Sequence, residues 1–223
     1  MSTVPGRLLT DPEWVAARID SMSDTWGTDV PRVAGTLWWC MVASTLVEQI
    51  AVAYAAGTPA PVAALGDFDC AVRPDGGVEH ALFRRVPVDA TGRSVRSDVG
   101  GDTGATAAEE VATALRDTLT AVITQVAAVS GAGIASLWAV AADAIGNRAL
   151  DAGAPEAATR LAADVGSRLP APRFVTVGGR TFVRRTSCCL VYEAPGRQMC
   201  TSCPKRSPED RAERLAVAAR ARS

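Results

Sequence analysis

The sequence predicts a mainly helical α+β protein, and three observations support that class. Long apolar segments are opened by proline and closed by glycine or by further prolines, as helices are. Short runs rich in Val, Phe and Thr flank Gly-Gly pairs, the pattern of antiparallel hairpins. Four of the six cysteines fall between residues 188 and 203, directly behind the last such pair. The expected architecture is a helical body with a small antiparallel β element, then a hairpin leading into a C-terminal cysteine loop and helix. Residues 1–172 would form the body and 173–223 the C-terminal part.

Thr10-Asp11-Pro12-Glu13 reads as a helix start, with Asp11 or Thr10 as the cap and a run to about Ser21. Pro31 opens a second helix through Leu37, Val42, Leu46, Ile50 and Tyr54, which stops near Gly57 before Pro59 and Pro61. It is apolar on nearly every side, so it should be central and buried. Phe68–Val72 and Val78–Val88 read as strands around Pro74-Asp75-Gly76-Gly77. Residues 89–105 read as a loop. Thr106 and Glu109 have capping-box spacing, predicting a helix to about Val129. Further helices should cover Ile134–Leu150 and Pro155–Leu169. Gly178-Gly179 predicts a tight hairpin between Phe174–Val177 and Arg180–Arg184, and Ser207-Pro208-Glu209-Asp210 a capped final helix.

With 223 residues, 48% of them hydrophobic, the chain can bury a core without staples. Its net charge of −1 supplies no bulk field for nucleic acid or acidic lipid, and no nucleic-acid partner is expected. The start has no apolar segment before Asp11 of the kind a secretory signal carries, which predicts a cytoplasmic protein. Val33–Val47 is uncharged but too short to span a bilayer. Thr118–Ala142 is long enough, yet Ser130-Gly131-Ala132-Gly133 breaks it, so two buried helices are expected and no stable membrane span.

Cys188-Cys189, ten residues, then Cys200-Thr201-Ser202-Cys203 is a soft, four-thiolate set suited to an iron–sulfur cluster or to zinc. The short Cys200–Cys203 turn lets both sulfurs face one metal. Structural zinc sites usually separate the ligands of a pair by two to four residues, because adjacent side chains diverge. A two-iron cluster presents two metals to such divergent sulfurs. Zinc, and a dithiol/disulfide centre, remain as alternatives at this point.

At these residues, over about 182–206, the sequence resembles the FhuF-type ferric-siderophore reductases. Cys188-Cys189-x10-Cys200-x2-Cys203, led by Arg184-Arg185-Thr186-Ser187 and followed by a basic tail, looks like their C-terminal signature. Arg32–Tyr54 is more weakly similar to the family's N-terminal half. The resemblance implies a [2Fe–2S] cluster held by Cys188, Cys189, Cys200 and Cys203. It implies one-electron reduction of a ferric siderophore in the cytoplasm, for example one of hydroxamate type, with iron leaving as Fe(II). A ferredoxin or flavoprotein reductase would be the external electron donor. The competing readings are a structural zinc module of four cysteines that presents a partner surface and a ferredoxin-like carrier without a substrate site. Kinship to a siderophore-synthesis domain would require nucleotide contacts, and the sequence shows no nucleotide fingerprint.

From Arg184 to Arg206 the segment also holds Arg185, Arg197 and Lys205 against the single acid Glu193, a cationic collar for an anionic group. Arg184, Arg185, Trp38 and Trp39 are the candidate substrate contacts, chosen on proximity or bulk. Trp38 and Trp39 are adjacent on a helix and should diverge, one to the core and one to a cleft. Cys40 and Cys70 read as small buried hydrophobes. His80, the only histidine, reads as a surface or strand-edge residue.

Overall fold

The computed structural model describes residues 2–87, 102–166 and 168–221, with side chains in 102–106 left aside. It is mainly helical with two small antiparallel sheets, as the sequence predicts. Strand β1 (Ser2–Pro5) and a 3-10 turn (Gly6–Thr10) lead into α1 (Pro12–Trp26) and α2 (Pro31–Ala56). Strands β2 (Phe68–Val72) and β3 (Val78–Phe83) follow, then α3 (Asp102–Ser130), α4 (Ile134–Asp151) and α5 (Pro155–Val165). The chain closes with β4 (Phe174–Val177), β5 (Arg180–Val183) and α6 (Pro208–Arg220).

Helix α2 is the axis of the fold. Pro31 opens it, and Gly57, in the left-handed region at φ 60°, closes it by donating its N–H to the Ala53 carbonyl. Its apolar residues cover the whole circumference, so neighbours pack on every side: Val33, Trp38, Trp39, Leu46 and Ile50 are all fully buried. Helix α2 is long and apolar enough to cross a membrane, and half of its most apolar stretch is buried inside this fold. Helix α3 adds one buried stripe at helical spacing: Val111, Leu115, Leu119, Val122 and Val126. Where α3 approaches α2, a Cβ on Gly35 would collide with the Ser130 side chain, so only glycine allows the contact. The expected break between α3 and α4 is present, with Gly131 at φ 71°.

The three-stranded sheet runs in the order β1-β2-β3, with Val4 opposite Cys70 and Cys70 opposite Ala81. Edge strand β3 is covered by polar side chains of α2: Thr45 donates to the Val78 carbonyl at 3.1 Å and Gln49 to that of Ala81 at 2.8 Å. Cys70 is buried in β2, and His80 is exposed on β3.

Several boundaries differ from expectation. Asp11 caps α1 by accepting from the Trp14 N–H at 2.8 Å, but the helix continues past Ser21 until Gly27 supplies a left-handed stop at φ 63°. Helix α3 starts at Asp102, so Thr106 lies inside it and not at its start. Gly166, at φ 104°, ends α5 before the prolines are reached. Strand β3 ends at Phe83. Of the loop expected at 89–105, residues 89–101 lie outside the described residues and 102–105 are helical. The N-terminal strand was not expected, because Ser2-Thr3-Val4-Pro5 is too short to show alternation by itself.

Candidate metal centre

The cysteine segment is positioned by a series of contacts along one face of α4. Gly178 and Gly179, both at positive φ, make the tight turn of the β4–β5 hairpin, whose register sets Phe174 opposite Val183. Val183 is buried against Gly146 of α4, where a Cβ would sit 3.3 Å from a Val183 methyl. One turn earlier, Asp143 receives the next residues. Its carboxylate accepts from the Thr186 N–H at 3.0 Å, the Ser187 N–H at 3.2 Å and the Thr186 hydroxyl at 3.3 Å. Arg185 Nε completes the set at 3.4 Å. Two turns nearer the start of α4, Ser187 Oγ donates to the Ser136 carbonyl at 3.1 Å.

Asp143 is 3% exposed, and burial pushes its carboxyl above the usual 3.8 while the Thr186, Arg185 and Ser187 donors pull it back. A buried carboxylate without those partners would be strongly unfavourable, so the pairing dictates where the chain lies. Its sequence signal was an acid inside an otherwise apolar helical stretch, Ala139–Ile145. Nothing local says which chain segment would answer it.

The four thiols assemble as two crosswise pairs. Cys188 Sγ lies 3.6 Å from Cys203 Sγ, and Cys189 hydrogen-bonds Cys200. Each adjacent cysteine therefore meets one member of the Cys200–Cys203 turn, which is closed by the Cys203 N–H on the Cys200 carbonyl at 3.2 Å. The divergence is built into the backbone. Leu190 sits in the left-handed region at φ 62°, which costs a non-glycine residue about 1–2 kcal/mol. That conformation brings the Leu190 N–H to 3.4 Å from Cys188 Sγ, while the Val191 N–H reaches Cys189.

These contacts separate the thiols electrostatically. Cys189 is pulled down to about 5 by its hydrogen bond with Cys200, against the burial of the site and with help from the Val191 N–H and Arg185. Cys200 is pushed up by the same hydrogen bond and by burial. Burial raises Cys188 to about 11, opposed by the Leu190 N–H. Arg185 Nη1 lies 3.7 Å from Cys200 Sγ. Burial opposes the Arg185 charge, but Cys40, Cys189 and Asp143 around it hold the guanidinium protonated all the more firmly.

The remaining collar residues separate into different roles. Arg206 is buried and clamps the turn, donating through Nε to the Cys200 carbonyl at 2.8 Å and through Nη2 to that of Met199. Its Nη1 pairs with Asp210 of α6 at 2.6 Å. Arg197 stacks over Trp26 at 5.0 Å, and Glu193 pairs with Arg32 of α2 at 2.5 Å, so the intervening loop is tied to the body. Lys205 is exposed. Arg184 is exposed and lines the groove between the hairpin and α6.

Of the four candidate substrate contacts, only Arg185 reaches the thiols. Trp38 and Trp39 require correction: neither lines a cleft, because both are fully buried. The Trp38 indole donates to the Gly76 carbonyl at 3.1 Å and that of Trp39 to the Leu137 carbonyl at 2.8 Å. They diverge as expected, but α2 has neighbours on both sides. Cys40, expected as plain core, stands beside Arg185 and Cys189, and burial raises its thiol to about 12.

The donor set fits a two-metal sulfur cluster. Two thiolates on one tetrahedral metal with bonds of about 2.3 Å lie about 3.8 Å apart, close to the Cys188–Cys203 separation of 3.6 Å. Two such pairs, each with a backbone N–H to sulfur, would offer each of two metals a pair of thiolates.

The fold and this site define a helical protein with a C-terminal four-cysteine centre. Residues 185–205 match the FhuF 2Fe-2S C-terminal domain, so the resemblance read from the cysteine spacing holds in this segment. A comparison with curated proteins finds no match to the chain.

Proposed function

We propose that this protein is an iron–sulfur oxidoreductase that passes one electron to a ferric chelate in the cytoplasm and so releases Fe(II). The observation that carries the reading is the crosswise pairing of Cys188 with Cys203 and Cys189 with Cys200, in the segment that matches the 2Fe–2S domain. When bound, a [2Fe–2S] group supplies a one-electron couple. Cys188, Cys189, Cys200 and Cys203 are its proposed ligands. Arg185 would stabilise the more negative state by its charge and its N–H to sulfur contact, and Asp143 keeps Arg185 in place. No acid–base residue is required. Hard oxygen ligands hold Fe(III) far more tightly than Fe(II), so adding the electron loosens the metal.

The large body favours a chelate-binding enzyme over a bare carrier, and the match of residues 185–205 to a 2Fe-2S domain favours two irons over one zinc. The test is metal and acid-labile sulfide content on anaerobically purified protein, followed by oxidation of the dithionite-reduced sample with a ferric chelate. Two irons and two sulfides per chain, with Fe(II) trapped by a ferrous-specific dye, are expected. One zinc in a colourless protein would overturn the reading.

A further inference from the structure

The cysteine centre has a cleft on each side. One, of about 610 Å³, lies between the starts of α2 and α4 and the cysteine segment, and Cys188 forms part of its wall. The other, of about 490 Å³, is bordered by Cys189, Cys40 and Arg185. Both are in the size range of small-molecule sites. A larger cavity elsewhere, about 660 Å³, is lined by none of residues 184–206 and so offers a ligand no contact with the centre.

The two clefts at the centre differ in charge. Asp143, Asp151, Arg148 and Arg185 line the second, and these acids and bases offset one another, with Arg148 already engaged by Ser44, Glu48 and Asp151. Among the described residues no acid lines the first, which has Arg32 and Lys205 on its rim. Arg32 is paired with Glu193 yet keeps 48% of its side chain exposed, and Lys205 has no ion-pair partner among the described residues. Small residues, Gly133, Ala135 and Ala139 among them, make up much of its lining beside Cys188 and leave room for a bulky ligand. The acceptor iron must come close to the centre; each cleft is walled by one of its thiols, Cys188 in the first and Cys189 in the second, so it is charge that distinguishes them.

We infer that the Arg32–Lys205 cleft beside Cys188 is the chelate site and that it selects ferric chelates of net negative charge over cationic ones. This inference rests on the function proposed above and adds its site and substrate class. Rim cations offset the repulsion that an anionic chelate would meet from a four-thiolate centre. A [2Fe–2S] group held by the four thiolates and reduced by dithionite would supply the one electron that takes Fe(III) to Fe(II). No bond to the protein forms, and the freed ligand oxygens take protons from water.

The test uses the full-length holoprotein and gallium(III) chelates, which mimic the ferric ones but accept no electron. Titration calorimetry compares a tris-catecholate of charge −3 with a cationic linear trihydroxamate. Wild type should bind the anionic chelate at least tenfold more tightly. Ala135→Trp, which fills the cleft from an exposed position, should abolish binding, and Lys205→Glu should reverse the preference. Both should keep the wild-type visible spectrum. Val52→Trp, in the remote larger cavity, should bind as wild type does. Unchanged chelate binding in Ala135→Trp, loss of binding in Val52→Trp, or tighter binding of the cationic chelate to wild type would each overturn the inference, with the proposed reductase activity left standing. If wild type binds no gallium chelate and its reduced form reduces no ferric chelate, the functional reading itself falls.

Discussion

The helical body and the cysteine segment are held in opposite ways. In the body, α2 is enclosed by apolar neighbours, and Trp38, Trp39, Phe68 and Leu46 are fully buried. Burial of such side chains is non-directional and contributes about 1.5–3 kcal/mol each, so the body's stability is spread over many contacts. In the cysteine segment only Ala194, Cys203 and Val183 at its entry are buried apolar residues, and position is set by directional partners. Asp143 holds residues 185–187, Arg206 holds the Cys200–Cys203 turn, and Arg32 with Trp26 holds the loop between. Apolar packing makes the platform, and a few polar ties aim four sulfurs.

That contrast can be broken, beginning with the largest expected effect. Under the proposed function, Cys203→Ser should abolish iron incorporation by removing the partner of Cys188, while the far-ultraviolet circular dichroism and the urea midpoint of the body stay close to wild type. Joint loss of iron and of helical signal would show that the two regions fold as one. Trp39→Ala should act the other way, costing about 3–5 kcal/mol in urea unfolding through the cavity it leaves, with iron retained below the transition.

Asp143→Ala sits at the boundary between the regions. It leaves the Thr186 and Ser187 N–H groups and Arg185 without their carboxylate, a loss of about 3 kcal/mol, the low end for breaking a buried pair. Hydrogen exchange should show it as faster exchange at residues 185–190 and little change in α2; uniform acceleration would mean that the tie is global. Gly35→Ala should cost about 1–3 kcal/mol by overpacking α2 against Ser130, read from the thermal midpoint, and Ser130→Ala on that background should recover part of it.

The smallest effect is a pH dependence in the β2–β3 turn. Asp75 is held below its usual 3.8 by its hydrogen bond from Arg73 and by the Gly77 N–H. A lowered folded value means that this stabilisation is complete above about pH 4. It is lost as pH falls through the lowered value. Gly76 and Gly77 amides should therefore exchange faster in acid relative to α2, and Asp75→Asn should remove the difference.

The sequence alone determined the elements with strong local causes. Prolines and glycines punctuate α2 and α4, the Gly178-Gly179 pair dictates the hairpin, and Cys188-Cys189-x10-Cys200-x2-Cys203 marks the centre. Each is a short-range matter of φ, side-chain periodicity or ligand spacing. Tertiary structure decided what depends on a distant partner. The Asp143 carboxylate finds residues 185–187 only when the hairpin docks on α4. Trp38 and Trp39 both become core because α2 is covered on two sides, and Arg206, read from composition as part of a cationic collar, proves to be a clamp on the Cys200–Cys203 turn. The two clefts flanking the thiols likewise exist only once α2, α4 and the C-terminal segment are brought together, since no stretch of sequence encodes the space between elements that are remote along the chain.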